Sequence, residues 1–249
     1  MFHLPLRQTE GFLSSLICLM RLDLKTPDHT TLSRRSAMVE VPEFVRRGGQ
    51  PIHLTIDSTG LKIMGNGEWH SLKLKPSNQR RAWRKLHLAV DGEGFLIAFE
   101  LTGSGVDDAS VGVAMIERIE AEIARFTADG AYDTRAIYAA LHEAGPPIPT
   151  IVLPPRKTAS ASMPPDDILQ QRDVAVARIA EVGRRQWRKE AGAHQQARAE
   201  NGMYRYKRII GNSLRGRTMA TQKVEAKTGV LVINRMTALG RPSSVAISR

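Results

Sequence analysis

The spacing of apolar residues near the N-terminus is helical, and a second short segment follows it. Four large apolar side chains predict a helix within residues 4–24: Leu6, Phe12, Leu16 and Leu19. In residues 27–35, Asp28 or Thr30 can cap a short helix that carries two arginines. Two short helices joined by a turn are typical of helix-turn-helix DNA-binding units and also of many plain helical pairs.

From Ile52 onward the apolar pattern alternates, which predicts a sheet. Strands are expected over five segments: residues 53–57, 86–90, 95–101, 126–130 and 150–153. Helices are expected over three segments: residues 107–123, 134–143 and 168–210, the last interrupted near Gly183 and Gly192. Strands mixed with helices in this order predict a mixed α/β sheet with helices on its faces.

The charge is strongly positive, with 36 basic and 25 acidic side chains and a net charge of +11. Residues 172–223 hold thirteen basic and four acidic residues, residues 73–85 form a second basic block, and residues 91–145 between them hold eleven acids and three arginines. One such block is often only a solvated surface, whereas two blocks around an acidic centre favour a polyanion such as nucleic acid. The single cysteine, Cys18, excludes a disulfide framework, and the longest mostly apolar run, residues 12–20, is too short to span a bilayer.

Carboxylates are the main chemistry left after common motifs are excluded. The chain has no phosphate-binding loop of the Walker type, no complete dinucleotide fingerprint and no histidine pair at zinc-ligand spacing. Asp57 and Asp129 are each expected to close an apolar strand. If these strands are neighbours, the two carboxylates converge and favour a magnesium ion. Alternatively, each aspartate only caps a turn.

Glu200 is a third candidate, because it is a rare acid within the basic stretch. It lies on a predicted helix with basic and polar residues around it, including Arg198 and Arg205. The spacing is compatible with an ordinary surface salt bridge and also with a third metal ligand. Spacing leaves these alternatives open.

Several ordered blocks resemble the DDE transposases of bacterial insertion sequences, in the branch related to the IS-four and IS-five groups. The blocks are residues 57–62, 84–91, 128–133 and 199–207, together with residues 4–12 and 27–35 near the N-terminus. The resemblance implies an α/β fold of the RNase-H-like type, with a mixed sheet flanked by helices. It also implies a helical N-terminal segment over residues 1–48, of the helix-turn-helix kind and shortened at its start, before a catalytic domain over residues 49–249.

The same resemblance implies a DNA transposase that cleaves and transfers strands by two-metal phosphoryl transfer, with no covalent enzyme intermediate. Asp57, Asp129 and Glu200 would be both the catalytic carboxylates and the ligands of two Mg²⁺ ions, with Mn²⁺ as a substitute. The phosphate-binding residues would be Lys207, Arg205, Arg198, Arg208, Arg84 and Lys85. The expected partners are the DNA of the element ends and of the target, bound by a homodimer in the cytoplasm at the nucleoid, with no membrane involved.

The last block departs from the family pattern at two positions. The family has a tyrosine seven residues and an arginine four residues before the glutamate, and this chain has Ala193 and Gln196 there; the lysine seven residues after it is present as Lys207. These departures favour an alternative, a catalytically impaired remnant that only binds DNA. A general basic nucleic-acid-binding module would explain the charge but not the two strand-end aspartates.

Overall fold

The computed structural model describes residues 4–36, 38–41, 49–64 and 83–240. The strands in this part of the chain are β1 (Ile52–Ile63), β2 (Trp83–Val90), β3 (Leu96–Gly103), β4 (Ile123–Thr127), β5 (Thr150–Val152) and β6 (Ser213–Leu214). The α-helices are α1 (Leu6–Leu19), α2 (His29–Arg35), α3 (Asp108–Ile116), α4 (Arg135–Glu143), α5 (Gln170–Glu190), α6 (Ala197–Ile209) and α7 (Met219–Ala238). Short 3₁₀ turns cover Gly130–Tyr132, Asp167–Leu169 and Ala193–Gln196.

The strands form one mixed sheet in the order β3-β2-β1-β4-β5, and β6 pairs with β1 outside this path. β2 is antiparallel to both β1 and β3, whereas β4 is parallel to both β1 and β5. Helices flank this mixed sheet, as in RNase-H-like transposase folds. The predicted fold class is therefore confirmed.

The alternation of side chains along β1 divides the interior into two hydrophobic cores. Leu54 and Ile56 belong to a core that includes buried residues of α3 and α4. Leu61 belongs to a second core that includes buried residues of α6 and α7. Asp57 precedes Leu61 by four residues and so lies on the same face of the strand, the one that α6 covers.

Three predicted elements have wrong boundaries, and one of them is the strand expected over residues 126–130, which is Ile123–Thr127. β1 does not end at Asp57 but continues to Ile63, because β2 pairs with it as far as Lys62 and β6 pairs with Lys62 and Ile63. The helix expected over residues 107–123 ends at Ile116, and Ile123 is the first residue of β4, paired with Ile52. Apolar residues at helical spacing continue past the end of α3, so periodicity alone does not show where the helix ends.

The helices predicted within residues 27–35 and over residues 168–210 are confirmed. Asp28 caps α2, accepting hydrogen bonds from the backbone N–H groups of Thr30 and Thr31. In the region 168–210, Gly183 interrupts α5 with φ +79° and ψ 156°, and Gly192 separates α5 from the next 3₁₀ turn with φ +65°. Positive φ is readily adopted only by glycine, which explains both interruptions.

Candidate active site

The parallel pairing of β1 with β4 places Asp57 and Asp129 at equivalent positions of neighbouring strands. The last paired residues are Thr55 and Thr127, and each aspartate follows its threonine by two residues. Asp129 comes just after β4 ends, but Asp57 lies inside β1. The prediction that both aspartates close a strand is therefore wrong for Asp57, although both lie just beyond the last pair of the parallel ladder.

Local hydrogen bonds hold both carboxylates. The Asp57 Oδ1 atom accepts a hydrogen bond of 2.7 Å from the backbone N–H of Ser58. The Asp129 Oδ1 atom accepts one of 2.8 Å from the backbone N–H of Ala131 and so caps the 3₁₀ turn Gly130–Tyr132. Both aspartates are partly exposed, so each retains oxygen atoms that solvent or an ion can reach.

Glu200 lies in the first turn of α6, where its side chain is exposed. Gly202 lets this helix approach the sheet closely, since a Cβ atom at that position would lie 3.1 Å from Val90 and 3.2 Å from Leu96. Ala199 is fully buried and Met203 is nearly so. Helix α6 therefore packs on the face of the sheet that carries Asp57. Glu200 is exposed and directly follows Ala199, which lies on the buried side of the helix.

The negative charges of neighbouring acids act on Asp57. The pKa of the Asp57 carboxyl is raised to about 6, chiefly by burial and also by the negative charges of Asp129, Glu200 and Asp108, while the hydrogen bond from the N–H of Ser58 opposes the shift. Asp108, at the start of α3, was not among the predicted site residues. It is paired with Lys85 at 3.2 Å and lies 3.6 Å from His87.

The donor set suits a divalent cation, although it is not gathered at one point. Carboxylate oxygens are the ligands that Mg²⁺ and Mn²⁺ prefer, and a cation would offset the repulsion that acts on Asp57. Within the described residues, no three His, Cys, Asp or Glu side chains lie close enough together to hold a metal ion. The residues therefore fit such an ion by chemical type and by their mutual repulsion, but not by their spacing.

A cleft of about 390 Å³ opens beside Glu200. It lies between the chain that follows β5 and the segment that joins α5 to α6, and its lining residues are Pro154, Arg188, Lys189, Ala193, His194, Gln196, Ala197 and Glu200. The carbonyl oxygen of Pro154 lies 3.0 Å from the position that a Cβ atom of Gly130 would take, so the cleft borders the turn that Asp129 caps. Both departures from the family pattern, Ala193 and Gln196, therefore lie in the cleft with Glu200.

Half of the predicted phosphate-binding cations are held by contacts within the protein. The Arg205 guanidinium donates to the carbonyl oxygen of Gly94 at 3.0 Å and to the hydroxyl of Thr237. Arg84 donates to Gln222 at 2.9 Å, and Lys85 donates to the carbonyl oxygen of Val106 at 2.9 Å besides pairing with Asp108. These contacts tie α6, β2 and α7 together, so their first effect is structural.

The other three cations are on α6. Arg208 is exposed and Lys207 is partly exposed. The Nη1 atom of Arg198 lies 3.4 Å from Nδ1 of His53 in β1. The pKa of His53 is lowered to about 4, chiefly by burial and also by the positive charges of Arg198 and Arg125. The role of all six cations in binding phosphate stays a prediction.

Comparison with known families identifies the chain. Two family models match it, and both are described as a transposase DDE domain: one covers residues 1–66 and the other covers residues 48–235. The second match extends over well more than half of the chain. This protein belongs to the DDE transposase family.

The family membership confirms the resemblance drawn from the sequence blocks, while the branch within the family stays a prediction. The longer match includes Asp57, Asp129 and Glu200. In the part of the chain that the structure describes, no helix is long and apolar enough to cross a membrane. The sequence analysis did not single out Asp108 or the two cleft cations Arg188 and Lys189. In the sequence, Asp108 is distinguished only by its neighbour Asp107, and Arg188 and Lys189 are two of many basic residues in a long basic stretch.

Proposed function

We propose that this DDE transposase cleaves DNA strands at the ends of an insertion sequence and transfers them to target DNA by metal-dependent phosphoryl transfer. Asp57, Asp129 and Glu200 are the proposed catalytic carboxylates. The observation that carries the proposal is the register of β1 and β4, which gives the two aspartates equivalent positions on neighbouring parallel strands. The contribution of Glu200 to the pKa of Asp57 supports its place in the same site.

Each group of residues would have its own task in the reaction. Asp57, Asp129 and Glu200 would hold two Mg²⁺ ions, or Mn²⁺ in their place. When bound, such ions lower the pKa of the attacking water or 3′-hydroxyl and stabilise the leaving oxygen. The hydrogen bonds from the N–H groups of Ser58 and Ala131 fix the orientation of the two aspartates. Lys207, Arg198 and Arg208 would neutralise phosphates along α6, because each is a cation on the helix that carries Glu200.

We further propose that residues 1–48 contribute to DNA binding and that a homodimer assembles on the element ends. Arg34 and Arg35 lie in the last turn of α2, on the helical pair that precedes the sheet. Sedimentation of the protein with and without a duplex that carries the sequence flanking the gene tests the dimer. A single protomer on each duplex would contradict it.

The test of catalysis is cleavage of a supercoiled plasmid that carries the DNA flanking the gene, with Mg²⁺, Mn²⁺ or EDTA. We expect cleavage only with a divalent ion. Asp57→Asn, Asp129→Asn and Glu200→Gln should each reduce the rate at least about a hundredfold, because a bound metal supplies several kcal/mol of transition-state stabilisation. Glu120→Gln is the matched control, since Glu120 is an exposed acid between α3 and β4. Cleavage that survives EDTA or all three substitutions would contradict the proposal.

A catalytically impaired remnant that only binds DNA is the second candidate. The observation that favours it is the presence of Ala193 and Gln196 in the cleft beside Glu200, at the positions where the family has its tyrosine and arginine. Salt-dependent binding of the flanking DNA without cleavage in either Mg²⁺ or Mn²⁺ would support this candidate. Cleavage by the unmodified protein would exclude it.

A further inference from the structure

We propose that Arg188 and Lys189 bind a DNA phosphate in the cleft beside Glu200, the cleft that Ala193 and Gln196 also line. This inference rests on the proposed function, because it takes DNA as the substrate of that site. It assigns a role to two residues that lie outside the last sequence block of the family, residues 199–207. Three features support it: the fixed position of the helix end, the pairing of the neighbouring charges, and the composition of the cleft.

The end of α5 is fixed in position against the sheet. Gly183 breaks the helix, so residues 184–190 run as a separate short helical piece. Arg184 donates hydrogen bonds to the carbonyl oxygens of Pro155 at 2.6 Å and Arg156 at 2.8 Å, which ties this piece to the chain after β5. Trp187 is buried, with only 6% of its surface exposed. Arg125 of β4 donates to the carbonyl oxygen of Ala191, which fixes the far end.

Several other charged residues of α5 are paired, whereas the exposed Arg185 lies outside the cleft lining. The Arg172 Nε atom is 2.9 Å from Asp133, and Arg178 binds both Glu181 and Glu190, each at 2.9 Å. Glu190, the acid next to the two cleft cations, is thus neutralised by a different arginine. Arg188 and Lys189 are both exposed, and neither side chain has a hydrogen-bond or ion-pair partner among the residues that the structure describes.

The cleft brings these two cations and Glu200 together without pairing them. No basic nitrogen in the described chain lies within salt-bridge distance of Glu200, so Arg188 and Lys189 line the same cleft but do not neutralise it. A carboxylate left free for a metal ion beside cations left free for an anion is the arrangement that phosphoryl transfer requires. The volume, about 390 Å³, lies within the usual range of ligand sites, about 300–1,000 Å³.

A larger groove elsewhere provides a contrast. It measures about 540 Å³ and lies between β3 and α7 at the other edge of the sheet. Its acid, Glu100, is paired with Arg118 at 3.3 Å and with Lys223 at 2.8 Å. Glu100, Arg118 and Lys223 therefore neutralise one another, whereas the side chains of the two cations in the smaller cleft are available to a ligand.

The test is the salt dependence of binding to a duplex that carries the DNA flanking the gene. We compare Arg188→Gln and Lys189→Gln with Arg235→Gln, an exposed arginine of α7 on the β3 side of the sheet. Each cleft substitution should reduce the magnitude of the slope of log affinity against log salt by about 0.9. Between 1 M and 0.1 M salt, the affinity of each variant should therefore rise about eightfold less than that of the unmodified protein. Arg235→Gln should leave the slope unchanged, and Lys189→Arg should retain it because the charge is kept.

The outcomes separate this inference from the proposed function. If both cleft variants keep the slope of the unmodified protein, the inference is overturned, whether or not the protein cleaves DNA. If the slope falls in the two cleft variants alone but the unmodified protein cleaves nothing in Mg²⁺ or Mn²⁺, the inference stands for binding and the catalytic proposal fails. Thermal unfolding of each variant shows whether folding is intact. If a variant has a lowered Tm, Arg188→Lys and Arg188→Met take its place. We expect an unchanged salt slope for Arg188→Lys and a reduced slope for Arg188→Met.

Discussion

Removing the charge of Asp57 should stabilise the protein when no divalent ion is present. The carboxylate is partly buried and faces the negative charges of Asp129, Glu200 and Asp108. Asp57→Asn keeps the shape of the side chain and an oxygen that can accept the hydrogen bond from Ser58. The substitution therefore isolates the effect of charge at the centre of the proposed site.

The magnitude follows from the raised pKa. In the folded protein the pKa is about 6 and in the unfolded chain it has the ordinary value of 3.8. The folded state therefore binds more protons between these values, and stability falls as the pH rises from about 4 to about 6. About two pKa units at 1.36 kcal/mol each set an upper limit of about 3 kcal/mol for the destabilisation at pH 7. Because Asp57 is partly exposed to solvent, we expect Asp57→Asn to gain about 1–3 kcal/mol at pH 7.

Urea unfolding in EDTA, followed by circular dichroism from pH 4 to 7.5, measures this effect. The variant should be more stable than the unmodified protein at pH 7, should have nearly equal stability at pH 4, and should lack the fall between them. Mg²⁺ should stabilise the unmodified protein and not the variant, because a ligand that binds only the folded state adds to its stability. Glu120→Gln should change neither curve. If the Asp57→Asn variant is less stable at pH 7, or keeps the same pH dependence, neither burial of the Asp57 charge nor its repulsion by the neighbouring acids destabilises the folded protein.

Two further predictions concern α5, and both are measured by urea unfolding. Gly183→Ala should lower the free energy of unfolding by about 1–3 kcal/mol because φ +79° with ψ 156° suits only glycine. The control Gly11→Ala, inside α1 with open space around it, should raise helix content and not lower stability, and equal effects of the two substitutions would contradict the assigned kink. Arg172→Met should lower the free energy of unfolding by about 3–5 kcal/mol because it leaves the fully buried Asp133 side chain without its cation. The control Arg135→Met removes an exposed ion pair and should cost less than about 1 kcal/mol. A loss as small as that for Arg172→Met would contradict a stabilising role of the Arg172–Asp133 pair.

The sequence predicts the sheet and most of its helices because their signals are local. The apolar runs around Ile56 and Phe126 predict two buried strands, and glycine predicts both breaks in the region 168–210. The extension of β1 beyond Asp57 is not local, because it depends on pairing with β2 and β6. The start of β4 at Ile123 is likewise not local, because it depends on pairing with Ile52.

The candidate site is predictable only in part for the same reason. Asp57 and Asp129 follow apolar segments, which the sequence shows, but Glu200 becomes a candidate catalytic residue through its resemblance to a family block. Arg188 and Lys189 have no distinguishing pattern within a basic stretch, and their importance depends on the direction that the chain takes after Gly183. Conversely, Arg205 looks available in the sequence but is bound to Gly94 and Thr237 in the fold.

A crystal structure of the protein with Mn²⁺, in which anomalous scattering locates the ion, is the decisive experiment for the proposed metal site. We expect a peak within coordination distance of the carboxylates of Asp57 and Asp129, with Glu200 turned toward the same centre, and no such peak in crystals of Asp57→Asn. Ordered Asp57 and Asp129 side chains without a peak at saturating Mn²⁺, or a peak bound only elsewhere on the protein, would show that these carboxylates do not form the metal site.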